Sequence, residues 1–458
     1  MAVKNILETI GNTPLVELTR TDTGVCRLFM KLENQNPGGS IKDRVGVFMI
    51  NEAEKQGLIR TGDTIVEATA GNTGIGLALA ARLKGYRLVL VIPDKMSQEK
   101  INHLRALDTE IILTRSDVGK GHPEYYQDYA QRIAAERNAY YVNQFENQAN
   151  PLAHEKTTAP EIWEQMEHRV DAIVAGVGSS GTITGLTRFF KKVSPQTELI
   201  LADPKGSILA DYINRGVLRT DAGSWLVEGI GEDFIPAIAD FSMTRKAYTV
   251  SDRESFETVR ELLRNEGILA GASTGTLLKA AILYCREQTE PKRVVTLACD
   301  SGNKYLSKMY NDYWLLDHEL AESERYGDLR DLITRRFADN AIIYSRPNDT
   351  LRSVYARFKL YGISQIPVLE DEKVAGIIDE SDLLLALNSG LHTPETLVEN
   401  VMKKDLVTIV HTASTDELFK ILDKGMVAIV EDAGGRFEGL ITRIDFINYL
   451  HRTNYYKK

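Results

Sequence analysis

Up to about residue 315 the chain alternates two hydrophobic patterns. Short, nearly continuous apolar runs at 64–68, 87–93, 110–113, 172–177, 199–203 and 294–297 are separated by other stretches. In these, apolar residues recur every three or four positions, as at 45–54, 76–83 and 98–107. A run that is apolar on both faces reads as a strand buried between two layers, and the recurring pattern reads as the helix that covers it. Repetition of the pair predicts parallel sheets with helices on both sides, an α/β architecture.

The pattern then changes. Residues 316–336 are crowded with charge, including Asp317, Glu319, Glu322, Glu324, Arg325, Asp328, Arg330 and Asp331, and hold no strand-like run; they are expected to form a helical linker. Beyond it the chain repeats itself. Gly362, Gly376 and Asp382 recur as Gly425, Gly439 and Asp445, each 63 residues later (362 to 425, 376 to 439, 382 to 445). A constant offset at several anchors marks a duplicated β-α-β-β-α unit. The expected organisation is a core over 1–315, a linker over 316–336 and two repeats over 337–395 and 396–458.

Charge and composition narrow the function classes. The net charge is −9 over 458 residues, and no concentrated Lys/Arg footprint exists of the kind a nucleic-acid partner requires. No stretch approaches the roughly 18–20 apolar residues needed to cross a bilayer. The N-terminus has no apolar leader, so a cytoplasmic protein is expected. Cys26, Cys285 and Cys299 are too scattered for a disulfide framework or a metal pair, and the eight histidines show no ligand spacing. Cys299 ends an apolar run and reads as a buried small hydrophobe. No protein-bound metal is expected.

The candidate chemistry lies in four places. Lys42 follows the turn Pro37-Gly38-Gly39 and opens a helical stretch. A helix N-terminus and the neighbouring Arg44 disfavour its ammonium, and an amine must be neutral to form a Schiff base. The turn from Ala68 to Gly76 offers N–H groups and the Thr69 and Thr73 hydroxyls, a set that suits a carboxylate. There the Asn72 amide can hydrogen-bond a phenolate-like oxygen. The turn from Gly176 to Gly185 lacks the lysine of a P-loop, so a nucleoside triphosphate with magnesium is disfavoured; a phosphate held by N–H groups and hydroxyls fits better. Gly271 to Gly275 is a third small-residue turn before a helix. All four are expected at the C-terminal ends of strands, where α/β proteins assemble their sites.

Together, Asn36 to Arg44, Gly71 to Gly76, Gly176 to Gly185 and Gly271 to Gly275 resemble the motifs of the cysteine synthase and cystathionine β-synthase family of fold-type-II pyridoxal-phosphate enzymes. The similarity runs from Ile10 to about residue 315. The tandem repeat resembles a pair of CBS domains, the adenosyl-nucleotide-binding module, and a core followed by that pair is the order of the family's cystathionine-forming branch. The resemblance implies that Lys42 holds the cofactor and acts as catalytic base, that Asn72 meets its ring hydroxyl, and that Gly178, Ser179, Ser180, Gly181 and Thr182 cradle its phosphate. Ser273 would face the pyridine nitrogen, and Thr69, Ala70, Gly71, Thr73 and Gln144 would hold the substrate carboxylate. The implied reaction condenses serine with homocysteine to give cystathionine, with hydrogen sulfide from cysteine as a side activity. In the second repeat Thr442 and Asp445 stand where this family binds an adenosine ribose, with S-adenosylmethionine as the candidate ligand.

The chain departs from the family pattern at several points. Ala70 replaces a common Ser, Ser180 a common Gly, and Phe145 a Tyr of the animal enzymes. Glu232 also stands where those enzymes carry Tyr, and a carboxylate there could pair with the ammonium of homocysteine. Asp379 stands in the first repeat where Thr would be. The N-terminus lacks the haem-binding extension of the animal enzymes, so no haem is expected. A homodimer or homotetramer is the family's habit. Two alternatives remain open: a cysteine synthase using O-acetylserine and sulfide, and a non-catalytic adenosyl-ligand sensor on the same fold.

Overall fold

The computed structural model describes residues 2–455, except Ala70, Lys95, Lys120, Glu322 and Ser323. The chain divides into two compact units, Met1–Trp314 and Leu315–Lys458.

The described residues of the first unit hold ten strands: β1 (Leu15–Glu17), β2 (Arg27–Lys31), β3 (Thr64–Ala68), β4 (Arg87–Pro93), β5 (Glu110–Thr114), β6 (Tyr140–Tyr141), β7 (Ala172–Gly176), β8 (Glu198–Pro204), β9 (Thr244–Val250) and β10 (Arg293–Leu297). They form two sheets. The larger runs in the order β1-β2-β10-β7-β8-β9 and the smaller in the order β5-β4-β3-β6. Every pairing is parallel except β1 with β2. The apolar runs predicted as strands are strands, and most of their residues are buried, as parallel sheets covered on both faces require.

Two helices decide where the site lies. Helix Lys42–Lys55 buries Val45, Met49, Ile50 and Ala53 along one face, each large side chain contributing about 1.5–3 kcal/mol by leaving water. Helix Asn72–Lys84 ends on Gly85 in the left-handed conformation that glycine tolerates. The two helices meet backbone to backbone. A Cβ on Gly46 would lie 2.3 Å from the Gly76 carbonyl carbon, and one on Gly76 would lie 2.4 Å from the Lys42 carbonyl oxygen. Glycine at both positions permits this approach, which fixes the first residues of the two helices against each other.

The second unit contains the duplicated motif. Strands β11 (Gln365–Glu370) and β12 (Lys373–Asp379) form an antiparallel hairpin; β13 (Thr408–Val410), β14 (Ala428–Glu431) and β15 (Phe437–Ile441) form a three-stranded sheet. Both hairpins carry a bulge at a corresponding place, between Val368 and Leu369 and between Val430 and Glu431. The second repeat shows the full β-α-β-β-α order. In the first, the opening strand is reduced to a bridge between Ser345 and Val368.

The helical linker expected at 316–336 does not form. Among its described residues, helix Asp312–Asp317 ends at its start and one 3-10 turn spans Leu329–Leu332. The reason is apolar: Leu329, Leu332 and Ile333 pack with Ile409, Leu418, Leu422, Ala428, Val430 and Ile441 in the core of the second repeat. No helix among the described residues is long and apolar enough to cross a membrane.

Candidate active site

The four predicted places do converge, although two of them do not follow strands as expected. The segment before Lys42 and the segment before Gly271 both join the loop that leaves β10. Ser40 bridges Asp300 and Ala270 bridges Ser301, while the Ile41 and Gly271 N–H groups donate to the Cys299 and Asp300 carbonyls at 2.9 and 2.8 Å. This β10 loop is the hub of the site.

Lys42 is half exposed, yet protein surrounds its amine. Burial pushes the ammonium below its ordinary range; Cys299 and Asp300, both within electrostatic reach, oppose that shift. Arg44, expected to depress Lys42, is engaged elsewhere. Its guanidinium donates to Glu33 at 2.7 and 2.8 Å and to Glu161 at 2.6 and 2.7 Å. The downward shift therefore arises from desolvation rather than from its neighbour. Cys299 is not a core hydrophobe either. It is half-buried beside Lys42, hydrogen-bonds Ser273, and burial pushes its thiol up to about 12.

Asn72 opens its helix and is held at both ends of its amide. Its Nδ2 donates to Asp300 at 2.7 Å and its Oδ1 accepts from Lys304 Nζ at 2.9 Å. The Asn72 amide also hydrogen-bonds the Tyr305 hydroxyl. Lys304 also donates to the Gly38 and Gly39 carbonyls at 2.9 and 3.1 Å, and burial lowers its ammonium to about 8. Behind them lies a buried network: Tyr305 donates to Asp300 at 2.6 Å, and Lys100 donates to Tyr305 at 2.8 Å and to Glu228 at 2.6 Å. Burial opposes the Glu228 charge, but Lys100 and Lys308 outweigh it and hold the carboxyl below its usual range.

Thr73 donates to Gln144 Oε1 at 2.8 Å, and Gln144 Nε2 donates to the Ala68 carbonyl at 3.2 Å. The Thr69 hydroxyl accepts from the Gly71 N–H at 3.1 Å. Thr69, Thr73 and Gln144 are all buried, and Gly71 takes a φ of 119° with Lys100 packed beneath it. Ala70 lies outside the described residues.

In the loop after β7, Ser180 adopts the left-handed conformation at φ 65° and caps helix Gly181–Val193. Its hydroxyl is buried without a partner among the described residues. A Cβ on Gly178 would lie 2.6 Å from the Gly229 carbonyl oxygen, so only glycine fits. Ser179, Gly181 and Thr182 complete the loop. Glu232 is half-buried and near enough to disfavour ionisation of Tyr125 and Tyr126, after burial itself. Phe145 and Phe234 stand with ring centroids 5.6 Å apart.

In the second repeat, Asp445 accepts from the Thr442 N–H at 2.8 Å, from the Thr442 hydroxyl at 2.5 Å and from the Thr334 hydroxyl at 2.5 Å. In the first repeat the corresponding pair is Asp379 and Asp382, and Lys403 bridges both at 2.9 and 2.8 Å.

The sequence reading missed Asp300, Lys304, Tyr305, Lys100 and Glu228. A signal was there: Asp300-Ser301-Gly302 follows the apolar run at 294–297 as the other turns follow theirs. Lys100 stands four residues before Leu104, on the inward face of its helix.

Comparison with known proteins adds independent support. The family model for pyridoxal-phosphate dependent enzymes matches residues 6–300, and that for the CBS domain matches 329–389 and 398–452. The chain is 35% identical to cystathionine beta-synthase of Dictyostelium discoideum over a 473-residue alignment, covering 99% of this chain and 93% of that protein. It is 42% identical to cysteine synthase 1 of Neurospora crassa over 319 residues, covering 68% of this chain and 84% of that one. Among solved structures, a hydrogen sulfide-producing enzyme from Fusobacterium nucleatum superposes with a TM-score of 0.62 at 38% identity, covering 67% of this chain and all of that one.

Proposed function

The chain belongs to the family of pyridoxal-phosphate dependent enzymes, and from that premise we propose that it condenses serine with homocysteine to give cystathionine and water. The observation that carries this reading is the full-length likeness to a cystathionine beta-synthase, catalytic core and both CBS repeats together. The cysteine synthase likeness covers only 68% of the chain.

The residues present fit the cofactor. Lys42 offers an amine whose ammonium burial disfavours, as imine chemistry requires. The buried Ser180 hydroxyl lacks a partner among the described residues and faces the task of a phosphate ligand along with Ser179, Thr182 and the N–H groups opening helix Gly181–Val193. Asn72 opens helix Asn72–Lys84 with its amide held by Asp300 and Lys304, and a ring oxygen would meet that amide. When bound, pyridoxal phosphate supplies an electron sink for the pair left behind when an amino acid loses its α-proton.

The side chains divide the remaining work. Thr69, Thr73 and Gln144, with the Ala70 and Gly71 N–H groups, hold the serine carboxylate. Lys42 Nζ takes the α-proton and gives it to the departing serine oxygen, which leaves as water; it then takes the thiol proton of homocysteine as the sulfur bonds to Cβ, and delivers that proton to Cα. Ser273 meets the ring nitrogen with a hydroxyl, which does not keep that nitrogen protonated as a carboxylate would; the sink stays weak and prompt loss of the β-group is favoured. Glu232 receives the ammonium of homocysteine beside Tyr125 and Tyr126. Thr442 and Asp445 take the ribose of S-adenosylmethionine, with Asp445 exchanging its present donors for the two ribose hydroxyls.

Turnover of serine with homocysteine and of O-acetylserine with sulfide, each with and without S-adenosylmethionine, tests the proposal. Cystathionine formation in the wild type and its loss by at least about a thousandfold in Lys42→Ala are expected. The absorption spectrum should show the cofactor and no haem band. Turnover of O-acetylserine with sulfide alone would replace this reading with a cysteine synthase.

A further inference from the structure

Behind the loop of residues 178–182 runs a helix that the activity described above does not use. It comprises Ala149–Ala153 and continues through a π-helical turn, His154–Thr158. Asn150, His154 and Thr158 on it are wholly buried. Asn150 and His154 are one turn apart, and so are Gly181 and Gly185 on the helix they face. A Cβ on Gly181 would fall 1.9 Å from Asn150 Oδ1, and one on Gly185 would fall 2.5 Å from His154 Cβ. The paired glycines let the phosphate-loop helix sit directly on these two side chains. π-helical turns are rare and concentrate at functional sites.

The hydrogen bonds have one consistent direction. Asn150 Nδ2 donates to the Gln144 carbonyl at 2.8 Å, which fixes the orientation of the amide, and to Ser179 Oγ at 2.9 Å. Ser179 Oγ, having accepted, keeps its own hydrogen for another group. His154 Nδ1 meets the Thr158 hydroxyl at 3.0 Å and His154 Nε2 meets the Thr182 hydroxyl at 3.3 Å. The imidazole nitrogen is the only side-chain or backbone partner of the buried Thr158 hydroxyl among the described residues, so that hydroxyl donates; otherwise its hydrogen would be buried unmade. Burial, with the Lys42 and Arg44 charges adding to it, keeps the ring neutral. Nδ1 is then the acceptor and Nε2 carries the proton, which it donates to Thr182 Oγ1.

We propose that Asn150 and His154 are positioning residues that hold the Ser179 and Thr182 hydroxyls as donors toward the cofactor phosphate. A phosphate dianion accepts and does not donate, so a hydroxyl that spent its hydrogen backward would face it with a lone pair. The inference rests on the reading of residues 178–182 as the phosphate cradle.

The test is cofactor retention in the purified holoenzyme, followed by absorbance and by the 31P resonance of the bound phosphate. His154→Ala and Asn150→Ala should each release pyridoxal phosphate about tenfold faster and shift the resonance. His154→Gln, which can present an N–H near the Nε2 position, should recover most of the retention. In a Thr182→Val background His154→Ala should add nothing, because its route to the phosphate is gone. Unchanged retention and resonance in both alanine variants, or a full additional loss in the Thr182→Val background, overturns the proposal. Should the alanine variants not fold, Thr158→Val carries the test: it preserves shape and removes the donor to Nδ1, and an unshifted resonance would sink the relay. A wild type without bound pyridoxal phosphate would overturn the cradle reading itself, a separate outcome.

Discussion

Lys31, Glu33, Arg44, Glu67, Lys100, Asp203, Asp300 and Lys304 all lie inside the N-terminal unit. In the C-terminal unit, Ser345 and Asp382 are the buried polar side chains among the described residues. Charge taken out of water costs several kcal/mol unless it is paired and hydrogen-bonded. The catalytic unit carries that cost where it must grip charged groups away from competing water. The C-terminal unit carries almost none: its ion pairs are part-exposed, as where Lys403 bridges Asp379 and Asp382 at a helix start. One unit buries its charges in paired networks and the other keeps them near the surface.

The largest break in this contrast should come from Arg44→Met. It strands Glu33 without its partner, and removing one half of a buried pair costs about 3–5 kcal/mol. Calorimetry should show the transition that releases the cofactor moving down while that of the C-terminal unit stays. Equal movement of both would mean that the interior charges do not belong to one unit's stability alone.

Glu67 sharpens the contrast through pH. Burial raises its carboxyl to about 8, and one carboxylate oxygen is without a partner among the described residues. A raised acid favours the fold below the unfolded pKa of about 4.5 and loses that contribution as pH climbs toward 8. Glu67→Gln keeps the neutral shape. It should match the wild type near pH 4.5 and exceed it above pH 8, by an amount on the order of 4 kcal/mol. Identical denaturation midpoints across that window would refute the assignment.

The smallest effects should distinguish the two repeats. Asp445→Ala should weaken S-adenosylmethionine binding by more than about tenfold in titration calorimetry. Lys403→Ala removes a bridge whose cation is half exposed, worth about 0.2–1 kcal/mol, and should leave that binding unchanged. A second binding event appearing in Lys403→Ala would show that the lysine masks a site in the first repeat.

Much of this was legible in sequence because glycine turns and apolar runs are local signals. Lys42, Asn72 and the loop at 178–182 could be named without knowing which strands pair. Asp300, Lys304 and Glu228 could not, since a charge far along the chain reads as surface until the sheet brings it inward. The same limit produced the error over Arg44, which is adjacent to Lys42 in sequence and committed to Glu33 and Glu161 in space. Likewise Leu329, Leu332 and Ile333 looked like interruptions in a charged linker, though they belong to a core completed more than a hundred residues later. His154 gave no signal at all: a lone histidine in a polar stretch has its role defined by the loop it touches.

The glycine seam between helices Lys42–Lys55 and Asn72–Lys84 also sets a boundary for redesign. With carbonyl atoms within 2.4 Å of where a Cβ would stand at Gly46 and Gly76, no side chain fits without driving the helices apart. Whatever else a library varies, these two positions should return as glycine in every active clone.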